Sequence, residues 1–370
     1  MILRGGRAAI SSQRAEFRDI GSGGDGVDLS GHLILPGLIN AHDHLSFNLF
    51  PLLGKPPYPN ATEWARDVYR PNESPVREQR SVPRAVRLQW GAIKNLISGV
   101  TAVAHHDPEP PKMFGRNFPV HVVKCGWAHS LEFTPNLEWQ FQKTPADHPF
   151  VLHLGEGTDT ASAEEIFELD RRGLLNERTV IVHGVALDGR GLELMKKRGA
   201  ALIACPISNL FTLRATLKRS AFASGVPIAL GTDSALTATG DLLDALRAAR
   251  AIWNLSADRL YRMVTSEAAR ILRLPNRTKD FTILRETGAS PAQTLVEARG
   301  VEMVIIGGKI RMVSDRLKRF AGPQWQAIHV EDRGRYWMDV DLTGLYRETA
   351  ARLGDKFKLA GRRVRINTSK

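Results

Sequence analysis

Short apolar runs alternate with longer polar and amphipathic stretches along most of the chain. The clear runs are VTAVAH (100–105), PVHVVKC (119–125), FVLHLG (150–155), TVIVHG (179–184), ALIACP (201–206) and VPIALGTD (226–233). Each has the length and near-continuous apolar character of a strand covered on both faces. Between them, segments such as PRAVRLQWGAIKNLISG and DLLDALRAARAIWNLS repeat apolar residues at intervals of three and four, as a helix with one buried face does. Strands that alternate with helices predict a parallel sheet wrapped by helices.

The polar residues decide between an open sheet and a closed one. Four apolar runs end in His, Asp or Glu at their C-terminal edge: LPGLINAHDHL with His42 and His44, FVLHLGE with His153 and Glu156, TVIVHG with His183, and VPIALGTD with Asp233. The carboxyl ends of many parallel strands converge on one place in a barrel, whose chemistry sits on that rim. Alternation along a strand turns His42 and His44 to one face and Asp43 to the other. Two convergent imidazoles make half of a metal site. His153 and Asp233 can complete it with one nitrogen and one carboxylate, a donor set that suits zinc and admits iron while leaving a position for water.

Composition narrows the rest. The 370 residues are 43% hydrophobic and 24% charged, which are globular values and exclude a disordered or fibrous chain. The N-terminal MILRGGRAAISSQ lacks the apolar core of a signal peptide, and no run is long enough to span a bilayer, so a cytoplasmic protein is expected. Cys125 and Cys205 suggest no disulfide framework. The net charge of +12 raises nucleic acid as a partner, but residues 301–370 carry fifteen Lys or Arg against eight Asp or Glu, seven of the twelve excess charges. A solvated basic tail explains that distribution better, and the expected partner is a small-molecule substrate. A homodimer is compatible with this reading and nothing in the sequence specifies one.

Five ordered segments carry a family resemblance. PGLINAHDHLSFNLF, HLGE, VHG, CPISNL and GTDS, spread over roughly residues 30 to 275, resemble the signature segments of the amidohydrolase superfamily, in its deaminase and chlorohydrolase-like branch. That branch includes guanine, cytosine and S-adenosylhomocysteine deaminases and triazine hydrolases. The resemblance implies an α/β fold, a (β/α)8 TIM-type barrel over residues 35–276. A small β-sandwich would be built from residues 1–34 and 277–370, with MILRGGRAAI pairing with TKDFTILRE and GVEMVIIGGKIRMVS. Only about forty-five residues separate His106 from Gly155, so the barrel is expected to be irregular around its third and fourth strands. The glycine-rich GSGGDG (21–26) reads as a turn, and DLTGLYRETAARLGDKF as an added helix without a family role.

The resemblance also implies roles. Asp233 would bind the metal and accept a proton from the attacking water, Glu156 would shuttle protons to a ring nitrogen and the leaving group, and His183 would hydrogen-bond the water or the developing oxyanion. Lys124 lies on the strand where other branches of the superfamily carry a metal-bridging lysine, but H-x-x-E belongs to the mononuclear branch. One divalent ion, zinc or else Fe2+, is therefore expected on His42, His44, His153 and Asp233. Asn48, His105, Ser208 and Asn209 are candidates for substrate contact, as are Phe47 and Trp90, with packing as the competing role. Of the adjacent His105 and His106, only one can face the barrel. The leading function is a metal-dependent hydrolase that deaminates a nitrogen heterocycle. The alternatives are a cyclic-amide hydrolase resembling imidazolonepropionase and a non-catalytic metal-binding scaffold.

Overall fold

A computed structural model describes residues 1–21, 26–109, 111–115, 117–275 and 277–366. Most of the GSGGDG segment and the last four residues of the basic tail lie outside the described residues. Eight short parallel strands carry the centre of the mixed α/β fold: β1 (Leu38–Asp43), β2 (Val100–His105), β3 (His121–Val122), β4 (Gly126–Ala128), β5 (Phe150–Leu154), β6 (Thr179–His183), β7 (Ala201–Ala204) and β8 (Ile228–Leu230). They form two sheets, β1-β2-β3 and β8-β7-β6-β5-β4. One seam between the sheets is bridged beyond the strand ends, where the N–H groups of Thr232 and Asp233 both donate to the His42 carbonyl at 2.9 and 3.1 Å. At the other, no ladder joins β3 to β4 among the described residues.

Burial on both faces explains why the strands read as continuous apolar runs. In β5, Phe150, Leu152 and Leu154 join the large core that includes the helices, while Val151 packs in a smaller cluster with Ile39, Val180, Val182, Ile203 and Ala229. Helices flank the strands, among them Arg84–Ile97, started by Pro83, and Thr160–Arg171, capped by Asp159 through its Oδ1 to the Ser162 N–H at 2.8 Å. Gly231 lets β8 run close to β1: a Cβ there would sit 2.7 Å from the His42 Cβ.

The terminal segments form a ten-stranded sheet and a separate parallel pair, Ile2–Arg4 with Gly26–Asp28. Arg7–Ala9 does not pair directly with the C-terminal strands, as the sequence suggested. It runs parallel to His32–Pro36, and that longer apolar strand pairs with Phe281–Arg285. The added helix, Leu342–Leu353, is tied in. Trp90 donates to Thr349 Oγ1 at 2.8 Å and packs on Phe357, and the Ala360 N–H donates to the Asn48 carbonyl at 2.7 Å. No helix among the described residues is long and apolar enough to cross a membrane.

Candidate active site

Five imidazoles and two carboxylates meet at the carboxyl ends of the parallel strands. His42 Nε2 lies 3.2 Å from His153 Nε2, and Asp233 Oδ1 lies 3.6 Å from both His42 Nε2 and His44 Nε2. His42, His44 and His153 are each at most 7% exposed. Neighbouring ligands on one tetrahedral zinc with bonds of about 2.0 Å are separated by about 3.3 Å. The His42–His153, His42–Asp233 and His44–Asp233 pairs stand close to that spacing.

Hydrogen bonds decide which nitrogen each ring presents. His153 Nδ1 donates to the His129 carbonyl at 2.9 Å, and His44 Nδ1 donates to Asp107 Oδ1 at 3.2 Å, so both present Nε2 as the ligating nitrogen. An imidazole fixed by a carbonyl or carboxylate in this way is the usual support of a metal ligand. Burial pushes the His42 and His153 pKa values down, and both rings remain neutral donors. Burial opposes charge on Asp233 too, but the His42 hydrogen bond and the His183 and His44 rings outweigh it and hold its pKa well below the usual carboxylate range. His42 Nδ1 is buried with no hydrogen-bond partner among the described residues. Neutral lone pairs crowded on an ionised carboxylate fit a divalent cation.

Beside the donor set lies a second group. Glu156 Oε2 is 3.4 Å from His183 Nε2, and a carboxylate oxygen of Asp233 lies within 4.8 Å of both. Burial, then the charges of Asp233 and Glu165, raise the Glu156 pKa well above the usual carboxylate range. His183 donates from Nδ1 to Asn209 Oδ1 at 2.7 Å, so its Nε2 is an acceptor facing Glu156. Asp233 accepts from Ser208 Oγ at 2.5 Å and from Thr237 Oγ1 at 3.0 Å. His183 and Asp233 have φ of 75° and 60°, a left-handed backbone that costs energy for residues other than glycine. A cavity of about 460 Å³ opens over these groups, walled by Phe47, Trp64, His129, Phe133 and Glu165.

The chain is similar to known proteins in sequence and in fold. A family model described as the amidohydrolase family matches residues 146–311. The 5-methylthioadenosine/S-adenosylhomocysteine deaminase of Pyrococcus furiosus is 29% identical over 285 residues, 60% of this chain and 64% of that protein. The chain thus spans just under two thirds of that relative's length. The enzyme of the same name from Syntrophobacter fumaroxidans is 24% identical over 77% of each chain. Among solved structures, a zinc-bound adenosine deaminase from Xanthomonas campestris superposes with a TM-score of 0.64 at 18% identity, over 88% of this chain and 86% of its own. The zinc complex of atrazine chlorohydrolase from Arthrobacter aurescens superposes with a TM-score of 0.68 at 17% identity, over 95% and 99%. Residues 146–311 thus resemble the amidohydrolase family in sequence, and most of the chain resembles these hydrolases in fold.

Around this site the sequence candidates fall into distinct places. His42, His44, His153 and Asp233 come together, with Glu156 and His183 beside them. Ser208 and Asn209, in the first turn of the helix Pro206–Leu213, do not line the cavity; they hold Asp233 and His183 from behind. Asn48 is fully buried and donates to Asp43 Oδ1 at 2.9 Å, on the face away from the cavity. His105, a candidate for substrate contact, is likewise placed away from it: its Nδ1 accepts the Leu45 N–H at 3.2 Å and its ring packs on Phe114. The inward residue of that pair is His106, whose ring centroid lies 4.3 Å from that of His153. Lys124 is exposed, and Trp90 is a core residue. Asp107 and His129 were not anticipated, because the short strands between residues 106 and 150 carry no periodic signal.

Proposed function

We propose that this protein is an amidohydrolase, a metal-dependent hydrolase of carbon–nitrogen bonds that deaminates a nitrogen heterocycle. Residues 35–276 would close as a (β/α)8 barrel, and residues 1–34 and 277–370 would form the composite β-sandwich with its C-terminal extension. His42, His44, His153 and Asp233 would hold one divalent ion, with zinc favoured by three imidazoles and one carboxylate. Bound there, the ion would lower the pKa of a water toward neutrality.

The observation that carries the reading is Glu156. It lies one hydrogen-bond step from His183 and beside Asp233, and it favours its protonated form. A buried carboxyl that keeps its proton next to one that has lost its own supplies an acid and a base in one site. Asp233 would accept a proton from the attacking water. Glu156 would pass a proton to the ring nitrogen as the carbon–oxygen bond forms, and then carry one to the exocyclic nitrogen, which leaves as ammonia while the carbonyl forms. His183, with its Nδ1 proton committed to Asn209, would accept a hydrogen bond from the water or from protonated Glu156. In that tautomer it cannot donate to a developing oxyanion. Phe47, Trp64 and Phe133 offer flat apolar surfaces to a planar ring. Deaminase relatives acting on adenosine derivatives make purine nucleosides the first compounds to try.

Zinc-loaded protein tested on purine nucleosides, pyrimidines, aminotriazines and cyclic ureas separates the possibilities. Ammonia release matched by loss of one exocyclic amine is the expected result. Ring opening of a cyclic urea without ammonia would instead favour cyclic-amide hydrolysis.

A further inference from the structure

His106 is unexplained by the mechanism above, although it sits among its ligands. The residue is 2% exposed and follows directly on β2. Its Nε2 lies 2.9 Å from the Ala128 carbonyl and must donate there, because a carbonyl only accepts. The remaining lone pair is therefore on Nδ1, and Nδ1 is buried without a hydrogen-bond partner among the described residues. A buried acceptor left without a partner is costly, so each one calls for an explanation. The imidazole nitrogens of His42, His106 and His153 lie within 4.8 Å of one another, and the His106 ring centroid is 5.0 Å from that of His42 and 5.5 Å from that of His44. The ring is thus fixed by a backbone carbonyl, as His153 is, and Nδ1 is the nitrogen left with a free lone pair beside His42 and His153.

We propose that His106 is a fifth protein donor to the ion held by His42, His44, His153 and Asp233. The inference rests on the metal-dependent reading above and extends it. With four imidazoles and one carboxylate the site is richer in nitrogen than the four-donor set, which favours zinc, iron, nickel or copper over harder cations such as magnesium or manganese. The extra donor would also feed charge to the ion and so leave a water there less acidic than the four-donor set would.

X-ray absorption of the zinc-loaded wild-type protein, together with cobalt(II) spectra and chelator competition on variants, tests this. The wild type should show four imidazoles and five protein donors per zinc. His106→Leu should bind zinc at least tenfold more weakly and shift the cobalt(II) spectrum, His106→Gln should do the same while preserving a donor toward Ala128, and the neighbouring His105→Leu should change neither readout. A wild-type site with three imidazoles, or a folded His106→Leu protein with unchanged affinity and spectrum, would overturn the fifth-donor proposal and leave the four-donor site standing. A wild-type protein that takes up neither zinc nor cobalt would overturn the metal reading itself, and this proposal with it.

Discussion

Strand β1 separates two buried polar clusters of opposite character. On one face Asp43 is saturated: its Oδ1 accepts from Asn48 at 2.9 Å, and its Oδ2 pairs with Lys94 Nζ at 2.9 Å and accepts from Asn95 at 2.6 Å. Lys94 in turn donates to Thr232 Oγ1 at 3.0 Å. On the other face, His42 belongs both to a group with His44 and Asp233 and to one with His106 and His153, and the Nδ1 atoms of His42 and His106 have no hydrogen-bond partner among the described residues. Both clusters are buried, and the charged groups Asp43 and Lys94 are paired within theirs, where the amide oxygen of Asn48 is the atom left without a partner among the described residues. A closed network holds a fold together, whereas an unsatisfied one that is rigidly supported is built for something that arrives from outside.

The largest effect expected from breaking this contrast is on chemistry alone. Glu156→Gln should lower turnover by about 100- to 10,000-fold, while metal content and unfolding temperature stay at wild-type levels. Loss of metal in that variant would make Glu156 a ligand and void the role assigned to it. On the saturated face the damage should be structural. Lys94→Met leaves Asp43 charged and unpaired in the core, and chemical denaturation should reveal a loss of about 3–5 kcal/mol; a change under 1 kcal/mol would mean that the network does not hold the strand.

Asp107 sharpens the comparison from the ligand side. Burial presses His44 to shed its proton, but Asp107, and then Asp233, outweigh it and raise the pKa from 6.5 to about 8. A raised folded-state value means that this pair stabilises the ion-free protein in full below about pH 6.5 and ceases to do so as the pH rises through about 8. That same proton must leave before His44 can ligate, so metal affinity should climb over the same range. Asp107→Asn should flatten both profiles and weaken metal binding by about 10- to 100-fold. An unchanged pH slope would show that Asp107 does not control His44. The smallest effect belongs to the C-terminal helix, where Thr349→Val removes the partner of Trp90 and should cost about 1 kcal/mol without touching metal affinity.

The sequence carried the strand ends well because each is a long apolar run closed by a polar residue; His42, His44, His153 and Asp233 all stand out that way. Direction was harder to read where two candidates are adjacent. Nothing in HHD distinguishes His105 from His106: β2 ends at His105, so strict alternation does not govern the next residue. Ser208 and Asn209 were visible as a motif, but a motif does not distinguish contact with substrate from support of the residues that make it. His129 follows a strand of three residues, too short for any period to emerge, and Asp107 lies two residues past the end of β2, where alternation no longer applies. The N-terminal strand was recognisable, but its partner was not, because an apolar three-residue strand pairs with whichever long neighbour the fold brings alongside.

Metal analysis of wild-type and His153→Ala protein after exhaustive dialysis tests the account most directly. One equivalent of a divalent metal, zinc foremost, should remain on the wild type and be lost from the variant, with both proteins folded. A wild type that retains no metal, or a His153→Ala protein that keeps a full equivalent, would contradict it.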